Sequence, residues 1–132
     1  MADVGSVDIE VELIAWLGVR APDGTVVRDD LDNDLLDELP TWQVQRVGGD
    51  DDGIRLDRAL VDVDVYARTK DEAMGQAKLI RGWLLRQLRG SATANAVFGR
   101  VQTVSAPVIR PYENTGLRRV GATYEIFFHP VS

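Results

Sequence analysis

One stretch constrains this chain more than any other. Leu60-Val-Asp-Val-Asp-Val-Tyr-Ala-Arg-Thr-Lys-Asp-Glu-Ala-Met74 changes its hydrophobic period from that of a strand to that of a helix within a few residues. Val61, Val63, Val65 and Ala67 share one face of an extended segment, and Asp62, Asp64 and Tyr66 share the other. Thr69 and Glu72 have the spacing of a capping box, in which hydroxyl and carboxylate satisfy free amides at a helix start. Ala73, Ala77, Ile80, Trp83 with Leu84, and Leu88 then recur at helical spacing. Arg81, Arg86 and Arg89 gather where they complement the helix dipole, and Gly90 supplies a stop. The pattern predicts a strand running into a helix over residues 69–89. It is a structural unit, not a catalytic motif.

The last strand is equally legible. Val120, Ala122, Tyr124, Ile126 and Phe128 alternate with Gly121, Thr123, Glu125, Phe127 and His129, giving one strongly apolar face. Residues 111–116 form a turn cluster, and residues 97–109 read as another strand, ended by Pro107 or Pro111. At the other end Ser6 is the expected cap of a helix that carries Ile9, Leu13, Trp16 and Leu17 on one side and closes at Gly18. Residues 21–40 are acidic and turn-rich, with a short helix expected near 33–39. A strand over 41–47 leads to a flexible hairpin loop, Gly48-Gly-Asp-Asp-Asp-Gly53. Segments 21–40 and 48–57 are expected to be mobile in a free subunit, because they carry little apolar surface to offset ordering. The expected fold is α+β. A single domain over 1–132 has helices packed on one face of a mostly antiparallel four-stranded sheet, in the order α-β-β-α-β-β.

With 132 residues, 45% hydrophobic and 27% charged, the chain is long enough to bury a core without staples. It has no cysteine, hence no disulfide framework and no thiolate chemistry. The opening Met1-Ala-Asp-Val-Gly-Ser6 lacks the basic and apolar regions of a signal peptide. No apolar run approaches the roughly 20 residues that span a bilayer, so the expectation is a soluble protein without a membrane partner. The net charge of −6 conceals a polarity. Residues 1–57 hold 15 acidic and 4 basic side chains, and residues 58–132 hold 6 and 11. Such halves favour head-to-tail association through complementary fields. Overall acidity disfavours a free-standing DNA binder, since phosphate contacts need a basic surface.

Chemical motifs are few. Asp30, Asp32 and Asp34 match the first spacings of a calcium loop, but Leu35 stands where its glycine is needed and Thr41 where its bidentate glutamate is needed. Asp62 and Asp64 share a strand face roughly 7 Å apart, which a metal-dependent hydrolase or nuclease requires. Yet the chain has a single histidine, His129, followed by Pro130, so such a site would have to recruit acidic residues only. Tyr66 on the same face favours a subunit contact instead, because aromatic residues are enriched there. Trp16, Trp42 and Trp83 fall on apolar faces and read as core anchors. No phosphate-binding loop and no nucleophile elbow occur. No catalytic, cofactor or metal residue is expected.

The order of these segments resembles the tail terminator (tail completion) proteins of long-tailed bacteriophages, particularly those of actinobacteria. The resemblance covers most of the chain: Leu13-Ile-Ala-Trp-Leu17 in the first helix, Thr41-Trp-Gln-Val-Gln-Arg-Val-Gly-Gly49 before an acidic loop, Val61 to Ala67 leading into the long helix, and Arg119-Val-Gly-Ala-Thr-Tyr-Glu125 near the end. It implies a structural virion protein assembled in the host cytoplasm. Such a protein forms a homo-oligomeric ring, a hexamer, that caps the finished tail tube and docks to the head connector. The genome would pass through its lumen without specific binding. A head-closure (stopper) or neck protein of the same machine is the alternative, and the small hydrolase using Asp62 and Asp64 is the other class. For a ring, the expected subunit-contact residues are Asp62, Asp64 and Tyr66, with Arg118 and Arg119 meeting the acidic loops.

Overall fold

The computed structural model describes residues 4–131; residues 1–3, part of the opening stretch read for a signal peptide, and residue 132 lie outside them. Its architecture is α+β, with two helices and one five-stranded mixed sheet. In chain order these are α1 (Ile9–Arg20), β1 (Val26–Arg28), β2 (Thr41–Asp51), β3 (Asp57–Ala67), α2 (Lys70–Trp83), β4 (Ala96–Arg110) and β5 (Arg118–Pro130). A 3₁₀ turn, Leu35–Asp37, precedes β2, and a π-helical turn, Leu84–Leu88, prolongs α2.

The strands lie in the order β1-β2-β3-β5-β4, so β5 inserts between β3 and the outer strand β4. Every pairing is antiparallel except the outermost one, where β1 runs parallel to β2 with Val26 opposite Thr41 and Arg28 opposite Gln43. The sheet therefore has five strands, not the four expected. Three residues inside an acidic, turn-rich stretch show no period, and β1 exists only through its neighbour.

Asp8, not Ser6, caps α1, its carboxylate accepting the amides of Glu10 at 3.0 Å and Val11 at 3.3 Å. Gly18 lies inside the helix, which closes at Ala21. Thr69 caps α2 as its spacing predicts, accepting from the Glu72 amide at 3.2 Å. Ala73, Ala77, Ile80, Leu84 and Leu88 are all buried against β3, β4 and β5, with Ile9, Leu13 and Leu17 of α1 in the same core. Trp42 is fully buried there, Trp16 nearly so and Trp83 half-buried, with the Trp42 and Trp83 rings 6.0 Å apart. Both helices thus cover one face of the sheet, as expected.

The segment expected as a flexible loop is part of the sheet. Residues 48–51 continue β2, and Gly48 pairs with Leu60 and Asp51 with Asp57 across a bulge after Arg46. Gly49 makes this possible at φ +117°, where a side chain would collide with the Arg58 carbonyl. The tip is bound by its own carboxylate: Asp52 Oδ1 accepts the amides of Ile54 and Arg55 at 2.8 Å and of Leu56 at 3.0 Å. An aspartate followed by three free amides closes a turn that glycine content alone would leave open.

Candidate functional site

The second face of the sheet is where the sequence placed its contact residues. It is not bare. The arch of residues 31–39 folds over one end of it, so that Leu35, Tyr66 and Leu117 form a small second core with Leu31 and Leu39 packed around. Tyr66 is 1% exposed, donates its hydroxyl to Gln43 Oε1 at 2.9 Å, and meets the edge of Tyr112 at 5.3 Å between centroids. Burial pushes its phenol up to about 12.

Asp62 and Asp64 sit beside it on β3, within a network drawn from three strands. Arg110, at the end of β4, places Nη1 3.0 Å from Asp64 Oδ1 and 3.2 Å from Asp62 Oδ2. Its Nη2 reaches Thr123 Oγ1 at 3.2 Å, and the Thr123 hydroxyl donates in turn to Asp62 Oδ1. Arg119 Nη2 closes the remaining side of Asp64, 3.0 Å from Oδ2. Asp64 is 1% exposed, and all four carboxylate oxygens of the pair accept from a hydroxyl or a guanidinium. A metal ion here would have to displace two arginines. These carboxylates are charge partners, not an open acid pair.

Of the five expected contact residues, Asp64 and Tyr66 are therefore buried inside the subunit and present no surface to a neighbour. Asp62 and Arg119 are half-buried and already paired. Arg118 is exposed, though it donates to the Thr115 and Leu117 carbonyls. The reason is one of topology. The alternation of β3 predicts two faces correctly but cannot reveal that an arch far earlier in the chain covers the second. Three participants were missed, Arg110, Gly121 and Thr123. A glycine inside a strongly alternating strand is the signal that marks a close approach, and Gly121 is directly opposite Asp64.

The charge polarity of the two halves survives only in part. Arg46, Arg58, Arg110 and Arg119 each pair with carboxylates of their own subunit. Arg46 grips buried Asp57 with two bonds, at 2.8 and 3.2 Å. By contrast, among the described residues Lys78, Arg81, Arg86 and Arg89 on α2 and its extension have no carboxylate within 4.0 Å. The same holds for Asp34 and Asp37 of the arch and for Asp29 and Asp30 just before it, where no cation lies within that distance. Asp32, centre of the apparent calcium spacing, bonds Arg28 at 2.9 Å and the Asp34 amide at 2.9 Å. The separation of unpaired charge is incomplete: among the described residues Asp8, Glu10, Glu12, Asp71 and Glu72, at or on the two helices, have no cation within 4.0 Å either, and Arg68, which has no carboxylate within that distance, donates to the Leu36 carbonyl of the arch at 3.3 Å.

No protein-family model matches the chain, and no curated protein matches it in sequence.

Proposed function

We propose that this protein is a structural subunit that closes into a ring, the ring that caps a finished phage tail tube and joins it to the head connector. The observation that carries this reading is that Lys78, Arg81, Arg86 and Arg89 along α2 and just past it, and Asp34 and Asp37 on the arch, find no oppositely charged partner within the subunit. A closed ring needs two different, complementary surfaces on each copy. The order and spacing of segments that resemble tail terminators supply the biological setting, including a hexamer in the virion neck and a lumen that passes DNA without gripping it. An acidic subunit suits that lumen. A stopper or neck protein shares the same assembly logic and differs in which partner it meets first. The hydrolase reading is weaker, because Asp62 and Asp64 are both engaged by arginine.

Light scattering on a sizing column tests the ring, with a discrete hexamer expected at micromolar concentration. Co-sedimentation with purified tail tubes, against purified connectors, separates terminator from stopper. A monomer at every concentration that binds manganese and cleaves a phosphodiester would replace the ring with an enzyme.

A further inference from the structure

The arch over the second face is fastened unlike any strand. Its feet are fixed, since β1 pairs with β2 and the Val26 amide donates to the Pro40 carbonyl at 3.1 Å. Between the feet, among the described residues, no backbone hydrogen bond runs from residues 29–39 to a strand. The amides of Asp37 and Glu38 instead donate within the arch, to the carbonyls of Asp34 at 2.9 Å and Leu35 at 3.0 Å. Arg28 clasps both limbs at the base, 2.9 Å from Asp32 and 3.5 Å from Glu38. No other ion pair involves residues 29–39 among the described residues. The arch therefore keeps its own shape and takes no part in the ladder.

What holds it down is small. Leu35, with Leu31 and Leu39 beside it, packs on Tyr66 and Leu117 in a cluster separate from the main core. Gln43 Nε2 donates to the Asp29 carbonyl at 3.0 Å, Arg68 Nη2 to the Leu36 carbonyl at 3.3 Å, and the Thr41 hydroxyl to the Glu38 carbonyl at 2.6 Å, near the foot. On the outer side Leu36 lies against Gly116, and an open cleft of about 800 Å³ runs between the arch and residues 111–114. A segment with few buried contacts, no ladder bonds and space beside it opens at a lower free energy than the core it covers.

We propose that residues 29–39 are a strap that opens as one unit while the sheet and helices stay folded, and so uncovers Tyr66 and Leu117. Opening breaks the leucine contacts and the bonds from Gln43 and Arg68. Tyr66 keeps its hydroxyl bond to Gln43 Oε1, so the uncovered surface holds its shape. Closed, the strap keeps Tyr66 and Leu117 away from every other molecule; open, it presents them beside the freed Gln43 amide. The strap belongs to the single subunit and does not depend on the ring reading.

Thiol labelling is the test, because the native chain has no cysteine. Leu117→Cys places a thiol under the strap, and Val63→Cys places one in the main core, at sites 2% and 3% exposed. With DTNB in buffer, the thiol under the strap is expected to react at least about tenfold faster than the core thiol, through an opening that falls short of unfolding. Its rate should also rise only shallowly with urea, since opening exposes little surface, while the core thiol responds steeply. Equal rates with equal urea dependence would overturn the strap, because residues 29–39 would then lift only when the whole chain unfolds. Should circular dichroism show either variant unfolded, amide exchange of the wild type decides. The Asp37 and Glu38 amides are then expected to exchange ahead of those of β3, with a small but finite urea slope. A slope of zero would mean fraying without uncovering, and a slope equal to that of β3 would mean global unfolding; either result overturns the proposal.

Discussion

Gly121 and Asp64 face each other across the β3–β5 ladder with no space for a methyl group between them. A Cβ on Gly121 would press on Asp64 Oδ1 and stand 2.6 Å from Cδ and Nε of Arg110. The glycine is the slot through which Arg110 lies flat across β5 to reach β3. Gly121→Ala should therefore destabilise by about 1–3 kcal/mol, as overpacking does. Thermal unfolding checks this, and an unchanged midpoint would mean that Arg110 reaches Asp64 by another route.

The neighbouring arginines should separate sharply. Arg118 is exposed and bonds only carbonyls among the described residues, so Arg118→Glu should change stability by no more than about 0.5 kcal/mol. Arg119→Glu places a carboxylate against buried Asp64 and should destabilise by about 3–5 kcal/mol, the range for breaking a buried pair. Urea unfolding of the two variants side by side decides it. Equal midpoints would place Arg119 outside the network.

Leu84 begins the π-helical turn and is fully buried in the core under α2. Leu84→Ala should destabilise by about 2–5 kcal/mol, combining lost transfer energy with the cavity left behind. A chevron or equilibrium denaturation curve that does not move would show the helix register to be wrong.

Two of the three tyrosines should report on alkaline unfolding. Burial raises the phenols of Tyr66 and Tyr124 from 10.0 to about 12. The folded state then holds protons that the unfolded chain has already released, so the stability is complete below pH 10 and falls as pH rises toward 12. Each phenol contributes a slope of about 1.4 kcal/mol per pH unit inside that window. Absorbance of phenolate, followed beside circular dichroism, should show late ionisation of two groups coinciding with loss of structure. Early ionisation of all three would contradict the burial.

Asp52 should govern the hairpin tip. Asp52→Ala removes the acceptor of three amides, and exchange of the Ile54, Arg55 and Leu56 amides should accelerate while the rest of β2 and β3 is unaffected. If those amides exchange as fast in the wild type, the tip is as loose as its glycines suggest.

The helix from Thr69, the burial of Ala73 to Leu88 and the inward face of β5 were all readable, because each is a local period imposed by one large core. What was not readable is long-range. Strand β1 needs β2 beside it, and the continuation of β2 through residues 48–51 needs β3 paired with it across the bulge after Arg46. The burial of Asp64 and Tyr66, two of the expected contact residues on β3, was hidden for the same reason. Alternation places Asp64 and Tyr66 on the second face, yet only the arch leucines, Arg110 and Arg119 decide that this face is interior. Charge counts along the sequence showed polarity, but which charges remain unpaired depends on strand register.

Strand β4 is the free margin of the sheet on one side, and it is badly formed for templating. Its pairing with β5 slips between Phe98 and Val101, between Thr103 and Ser105, and again before Val108, and Pro107 contributes no amide at all. Val104, Val108 and Ile109 are exposed along it, which on a straight margin would invite stacking into fibrils. Here an incoming strand finds donors out of step with its acceptors. The apolar side chains on display along β4 therefore sit on a margin poorly shaped to recruit another strand.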